Sequence, residues 1–142
     1  MSDRLRVLYV DDDELSRALA YRELSKRGFA VQTAESARRA LQLTASNEFD
    51  VVVSDLRMPE TDGLSLLDTL RRRGNDTAFV LTTGFPEIDA HRREIQPNFI
   101  LPKPWRAEGL ESAVRDAAAE STQCQRHVTR LLIVEDNPAD AE

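Results

Sequence analysis

The sequence predicts an α/β domain: a doubly wound, five-stranded parallel sheet with helices on both faces. Three observations predict it: five short apolar runs rich in β-branched residues, segments of helical character between them, and a polar residue directly after most of the runs. Runs of that length and composition are strands buried on both faces. Strict alternation of strand and helix then requires right-handed crossovers and a parallel sheet.

The first run, Leu5 to Val10, ends at Asp11 and Asp12. A helix of about 14–18 residues is expected from Glu14. Gly28 closes it after a basic end, where glycine stops a helix and cations favour its negative pole. The second run, Phe29 to Thr33, is followed by helical character around Ala37 to Leu43, and the third, Val51 to Ser54, ends at Asp55. A helix over Leu64 to Arg72 is stopped by Gly74, again behind a basic stretch, Arg71 to Arg73. The fourth run, Ala78 to Thr82, ends at Thr83 and precedes a weakly patterned helical segment from Pro86 to Ile95. The fifth, Phe99 to Leu101, leads to Lys103. In the last helix Leu110, Ala113, Val114 and Ala117 fall at i, i+3, i+4 and i+7 and form one apolar stripe.

The 142 residues suffice for one ordinary core, and 41% apolar against 31% charged residues is a globular balance. A net charge of −6 argues against unassisted binding to nucleic acid or to an anionic membrane. Cys124 is the single cysteine, so no internal disulfide exists, which suits a reducing compartment. No apolar stretch approaches the roughly 20 residues that span a bilayer, and the start MSDRLR is no secretory signal, so a cytoplasmic location is expected.

A second feature is an internal echo. Arg130 to Asp136 repeats the pattern of Arg6 to Asp12: a basic residue, four apolar residues and an acidic pair, position for position. Between them Glu120 to His127 is polar and aperiodic. The expected division is therefore a domain over residues 1–120, a linker over 121–129, and the start of a second domain of the same kind over 130–142. Its orphan strand is expected to be disordered or to pair with a sheet edge.

In doubly wound sheets, ligands collect at the carboxyl ends of the strands. Asp11, Asp12, Asp55, Thr83 and Lys103 all stand there. Carboxylates gathered in this way repel by up to about 4 kcal/mol per pair at about 4 Å and an effective dielectric near 20. A hard divalent cation offsets that repulsion, and Mg²⁺ favours few carboxylates, waters and phosphoryl oxygens. An aspartate oxygen beside such an ion can attack phosphorus and form an acyl phosphate. The ion, the Lys103 ammonium and a hydroxyl such as that of Thr83 would neutralise the transferred oxygens. No separate base is required, because a carboxylate is already ionised near neutral pH, so His91 and His127 need no catalytic role. Taken singly, each residue has a plainer reading: Asp11 to Glu14 as a solvated helix start, Asp62-Gly63 as a turn, Trp105 as a packing residue.

Four blocks together carry a resemblance. Val10-Asp11-Asp12-Asp13, Ser54-Asp55-Leu56-Arg57-Met58-Pro59-Glu60-Thr61-Asp62-Gly63, Leu81-Thr82-Thr83-Gly84 and Lys103-Pro104-Trp105 resemble the signature blocks of the bacterial response regulator receiver family over about residues 4–120. The tail from Arg130 resembles the opening of another receiver. The resemblance implies a flavodoxin-like strand order 2-1-3-4-5, with Asp55 as the phosphorylated residue. Asp12 would be a direct Mg²⁺ ligand, Asp11 a ligand through water, and the Arg57 carbonyl a further ligand, with Mn²⁺ able to substitute. Thr83 and Lys103 would hold phosphoryl oxygens, and Lys103-Pro104 would be cis.

The resemblance also implies a phosphoacceptor signalling domain rather than a turnover enzyme. A histidine kinase or histidine phosphotransfer protein would be the donor, and a downstream domain of the same polypeptide or a homodimer the output. The face of the fourth helix, fifth strand and fifth helix would change partners. One position departs from the pattern: the family often places Tyr or Phe three residues before the lysine, and here Ile100 stands there. Two other functions fit less of the sequence. A receiver-like module working without phosphate leaves the full acidic and lysine set unused. A haloacid dehalogenase-type phosphohydrolase would use Asp11 and Asp13, but Leu15 stands where Thr or Val is wanted, and no cap-sized insertion is present.

Overall fold

The computed structural model describes residues 4–58, 60–84 and 97–134. In chain order the elements are β1 (Arg6–Val10), α1 (Glu14–Lys26), β2 (Ala30–Ala34), α2 (Ala37–Ser46), β3 (Val51–Asp55), α3 (Gly63–Arg72), β4 (Ala78–Thr83), β5 (Phe99–Pro102) and α4 (Ala107–Val134). The helical segment expected over Pro86 to Ile95, with His91, lies outside the described residues.

The strands form one parallel sheet in the order β2-β1-β3-β4-β5, as the resemblance implied. β3 and β4 are buried on both faces, which is why they read as largely apolar runs rather than as alternating ones, while the edge strands β2 and β5 are partly exposed. One face carries Val7, Tyr9, Val51, Val53, Ala78 and Val80 against Ala20 and Leu24 of α1 and Leu110, Val114 and Ala117 of α4. The other carries Leu8, Val10, Val52, Phe79 and Leu81 against Ala37 and Ala40 of α2 and Leu66, Leu67 and Leu70 of α3. The stripe read in the last helix is thus the one that is buried.

The helix starts follow from their caps. Asp13, Ser36 and Asp62 each accept a hydrogen bond from the backbone N–H three residues on, satisfying a donor that the first turn leaves open. Gly28 (φ +97°) and Gly74 (φ +79°) take the left-handed conformation just past the ends of α1 and α3, as their positions predict. α1 is also tied to α4: Arg27 pairs with Glu111 at 3.2 Å, and the Arg115 guanidinium lies 4.6 Å from the centre of the Phe29 ring.

Residues 121–134 differ from expectation. They were expected as a linker followed by the opening of a strand, and they continue α4 instead. A strand satisfies its backbone only through a neighbour, and the described sheet pairs none with this segment. A helix satisfies its backbone internally, and once nucleated by the buried part of α4 it propagates at little cost.

Candidate functional site

Alternation along the strands builds the site. Val7 and Tyr9 face the α1/α4 layer, and the same two-residue step leads to Asp11; Val51 and Val53 lead likewise to Asp55. Leu101 and Trp105 pack against that layer too, with Lys103 midway between them. β1 and β3 are neighbours with Val10 beside Ser54, so Asp11 and Asp55 emerge side by side.

The structure brings Asp11, Asp12 and Asp55 together, with one carboxylate oxygen from each lying within 4.8 Å of the others. Lys103 Nζ stands 3.3 Å from Asp55 Oδ1 and 3.7 Å from Asp11 Oδ2. Asp11 is 1% exposed, Asp55 8%, while Asp12 faces solvent. Burial pushes both buried carboxyls above the usual carboxylate range. Asp11 adds to the rise at Asp55, and Lys103 opposes it at both. These groups therefore resist ionising together unless further positive charge is supplied. An all-oxygen set of clustered carboxylates fits a hard divalent cation such as Mg²⁺, and Asp11, Asp12 and Asp55 are the residues that would hold it.

The surrounding backbone fixes these side chains. Asp11 Oδ1 accepts the Asp13 N–H at 3.0 Å, and Arg17 Nη1 donates to the Asp11 carbonyl at 2.7 Å, pinning the loop between β1 and α1. Behind Asp55, Ser54 Oγ donates to the Asp55 carbonyl at 3.0 Å, and the Gly63 N–H donates to the Leu56 carbonyl at 2.9 Å. A Cβ at Gly63 would fall 2.6 Å from the Asp55 carbonyl oxygen, so only glycine lets α3 start this close to the site.

The other expected residues are placed as follows. Thr83 is buried at the end of β4, and its carbonyl accepts the Lys103 N–H at 2.9 Å, which registers the lysine to the threonine. Arg57 is exposed in the loop directly after β3. The Lys103-Pro104 peptide bond is cis. Ile100 packs against the α2/α3 layer, whereas Phe99, one residue off, is exposed at the sheet edge.

Sequence reasoning missed two groups. Tyr9 is buried on β1 with its hydroxyl 3.5 Å from Asp11 Oδ2, and Trp105 Nε1 donates to that hydroxyl at 3.2 Å. The signal was present, since a tyrosine two residues before a strand-end aspartate shares its face. Burial and the neighbouring Asp11 charge raise the Tyr9 hydroxyl's pKa far above the ordinary phenol value, so it stays a proton donor. Thr82, directly beside Asp55 in the sheet, has a buried hydroxyl with no hydrogen-bond partner among the described residues.

Residues 7–115 match the response regulator receiver domain family. The chain belongs to that family. It is 34% identical over 120 residues to the response regulator MprA of Mycolicibacterium vanbaalenii, covering 83% of this chain and 52% of that protein. It is 36% identical over 121 residues to the sensor kinase CckA of Brucella abortus, covering 82% of this chain and 13% of that protein. This receiver chain thus spans about half of the regulator and a small part of the kinase. Among solved structures it resembles the signal receiver domain of an HD domain-containing protein from Pseudomonas fluorescens, with TM-score 0.76, 32% identity and coverage of 84% and 98% of the two chains. It also resembles the response regulator TrrA of Thermotoga maritima, solved in complex with Mg²⁺ and BeF, with TM-score 0.73, 26% identity and coverage of 80% and 98%.

Proposed function

We propose that Asp55 of this receiver domain is the phosphoacceptor of a two-component phosphorelay. The observation that carries the reading is the pocket itself: Asp55 Oδ1 at 3.3 Å from Lys103 Nζ, with Asp11 and Asp12 within 4.8 Å. An Asp55 oxygen attacks the phosphorus of a phosphohistidine. The phosphorus–nitrogen bond breaks, its electron pair stays on the imidazole nitrogen, and that nitrogen takes a proton from solvent. Lys103 balances charge on a transferred oxygen, Thr83 offers another a hydroxyl, and Arg17 and Ser54 keep the two loops in register. Asp12, Asp55 and the Arg57 carbonyl would hold Mg²⁺ directly and Asp11 through water, and the ion would supply the remaining positive charge. That the related TrrA was solved in complex with Mg²⁺ and BeF supports Mg²⁺ as the ion.

The donor is a histidine kinase or a histidine phosphotransfer protein. Leu15, 77% exposed, and Leu19, 42% exposed, stand one turn apart on α1, which starts directly after the Asp11–Asp13 loop, and offer apolar surface to such a donor. The added charge of about −2 on Asp55 biases the loops after β3 and β4, and the β5/α4 side passes the change to a downstream domain or a second copy. The domain is an acceptor that switches partners and works in the cytoplasm; no described helix is long and apolar enough to cross a membrane. The match between Arg130–Asp136 and Arg6–Asp12 supports a second receiver starting there in the parent protein.

Intact-mass measurement after incubation with acetyl phosphate and Mg²⁺ tests the reading. Wild type gains one phosphoryl group and Asp55→Asn gains none; labelling that survives the substitution overturns it.

A further inference from the structure

Tyr9 and Trp105 have no part in the chemistry above, yet they form a chain of hydrogen-bonding groups that ends on Asp11. Its polarity is dictated by chemistry. An indole N–H can only donate, so the Tyr9 oxygen accepts it at 3.2 Å, and the phenolic proton is left for Asp11 Oδ2. Accepting one hydrogen bond strengthens the phenol as a donor of the next. The two rings meet edge to face, with centroids 6.1 Å apart and planes at 74°, so the phenol is held in place by packing as well.

Asp11 is a carboxylate in need of orienting. Its Oδ1 is fixed by the Asp13 N–H, whereas Oδ2 is approached only loosely, by Lys103 Nζ at 3.7 Å and Tyr9 Oη at 3.5 Å. A contact at 3.5 Å, against about 2.5–3.0 Å for an ordinary O–H···O bond, is made or lost by a shift of a few tenths of an ångström. It therefore responds to any movement of the Asp11 carboxylate. At its other end, Trp105 lies between Lys103-Pro104 and the first residue of α4.

We propose that Tyr9 is a positioning residue for the divalent ion. Its hydroxyl, backed by Trp105, sets the orientation of Asp11 and carries the occupancy of the acidic pocket to the turn that opens α4. This rests on the pocket being a divalent-cation site, as proposed above. It also gives this chain a route from site to surface that does not pass through Ile100, the position where the family often has an aromatic residue. Partners that orient a metal ligand from behind typically contribute 10–100-fold to affinity.

The test uses the full chain, with Mn²⁺ binding followed by the electron paramagnetic resonance of free Mn²⁺, and with Trp105, the one tryptophan, as the optical reporter. Tyr9→Phe keeps the ring and removes only the hydroxyl; Trp105→Phe removes the N–H and provides an independent variant should the first fail to fold. We expect each to weaken Mn²⁺ binding about tenfold. We also expect the change in Trp105 emission on adding Mg²⁺ to wild type to be largely lost in Tyr9→Phe. Binding within twofold of wild type in both variants, with an unaltered emission response in Tyr9→Phe, overturns the proposal and reduces the pair to core packing. That result leaves the phosphoacceptor reading intact, whereas failure of wild type to bind Mn²⁺ at all removes both.

Discussion

Asp55→Asn should stabilise the metal-free protein while abolishing its acceptor chemistry. At an effective dielectric near 20, the attraction between Asp55 and Lys103 at 3.3 Å is about 5 kcal/mol, and repulsion from Asp11 within 4.8 Å is about 3.5 kcal/mol or more. Exposed Asp12 adds a smaller, solvent-screened repulsion, so the pairwise contributions nearly cancel. The cost of holding a buried carboxylate out of water remains, in agreement with the upward-shifted ionisation of Asp55. Asn fills the same space without charge and leaves Lys103 paired with Asp11. The expected gain is about 1–2 kcal/mol, or roughly 3–8 °C in melting temperature for a domain of this size. Thermal unfolding in EDTA at pH 7 measures it. Mg²⁺ at a hundred times its dissociation constant stabilises wild type by about 2.7 kcal/mol, and the variant, having lost a ligand, gains less. The order of melting temperatures should therefore reverse when EDTA is replaced by Mg²⁺. A variant less stable than wild type in EDTA, and no more so in Mg²⁺, would refute the electrostatic account of the pocket.

Gly63→Ala should lower stability by about 1–3 kcal/mol in urea unfolding, because the new methyl must displace the Asp55 carbonyl or Leu81 Cδ1, 2.9 Å away. Thr82→Val should raise stability by about 1 kcal/mol in the same assay, since it replaces a buried hydroxyl that has no described partner with a methyl. A loss there would mean that the hydroxyl is satisfied after all. The ionisation of Asp11 and Asp55 sets a pH dependence. Both have folded values above the ordinary 3.8, so their contribution to stability is full below that pH and disappears as pH rises through the raised values. In EDTA, the advantage of Asp55→Asn over wild type should accordingly widen as pH is raised from about 4 towards neutrality. A gap that stays constant with pH would contradict the assignment.

Most of this architecture could be read in the sequence, because burial on both faces makes the central strands β1, β3 and β4 largely apolar, and the polar residues then stand out at their ends. The five acidic, hydroxyl and ammonium positions were legible for that reason. Phe29 was read as the first residue of β2 but lies just before it, its ring buried beneath Arg115 while its N–H bonds back to the Leu24 carbonyl of α1. Apolar content alone does not separate a strand residue from a residue packed under a turn. α1 was legible by its cap and its stop rather than by its pattern: Leu15, Leu19 and Tyr21 are exposed, and the buried contacts come from Ala20 and Leu24. Residues 121–134 were expected as a linker and the opening of a strand, and the structure continues α4 through them; an apolar run forms a strand only where other strands are present to receive it. The approach of Trp105 to Tyr9 joins residues 96 apart in sequence, and no local pattern announces such a meeting.

The even spacing of Tyr9 and Asp11, of Val53 and Asp55, and of Leu101 and Lys103 makes the pocket a parity check on the sheet. Inserting or deleting one residue within β1, β3 or β5 would turn that strand's contribution to the opposite layer, with composition and apolar content almost unchanged. A two-residue change would keep the correct side and miss by one rung. Length variation in such a chain is therefore confined to the loops, and the strands behave as a frame of fixed count.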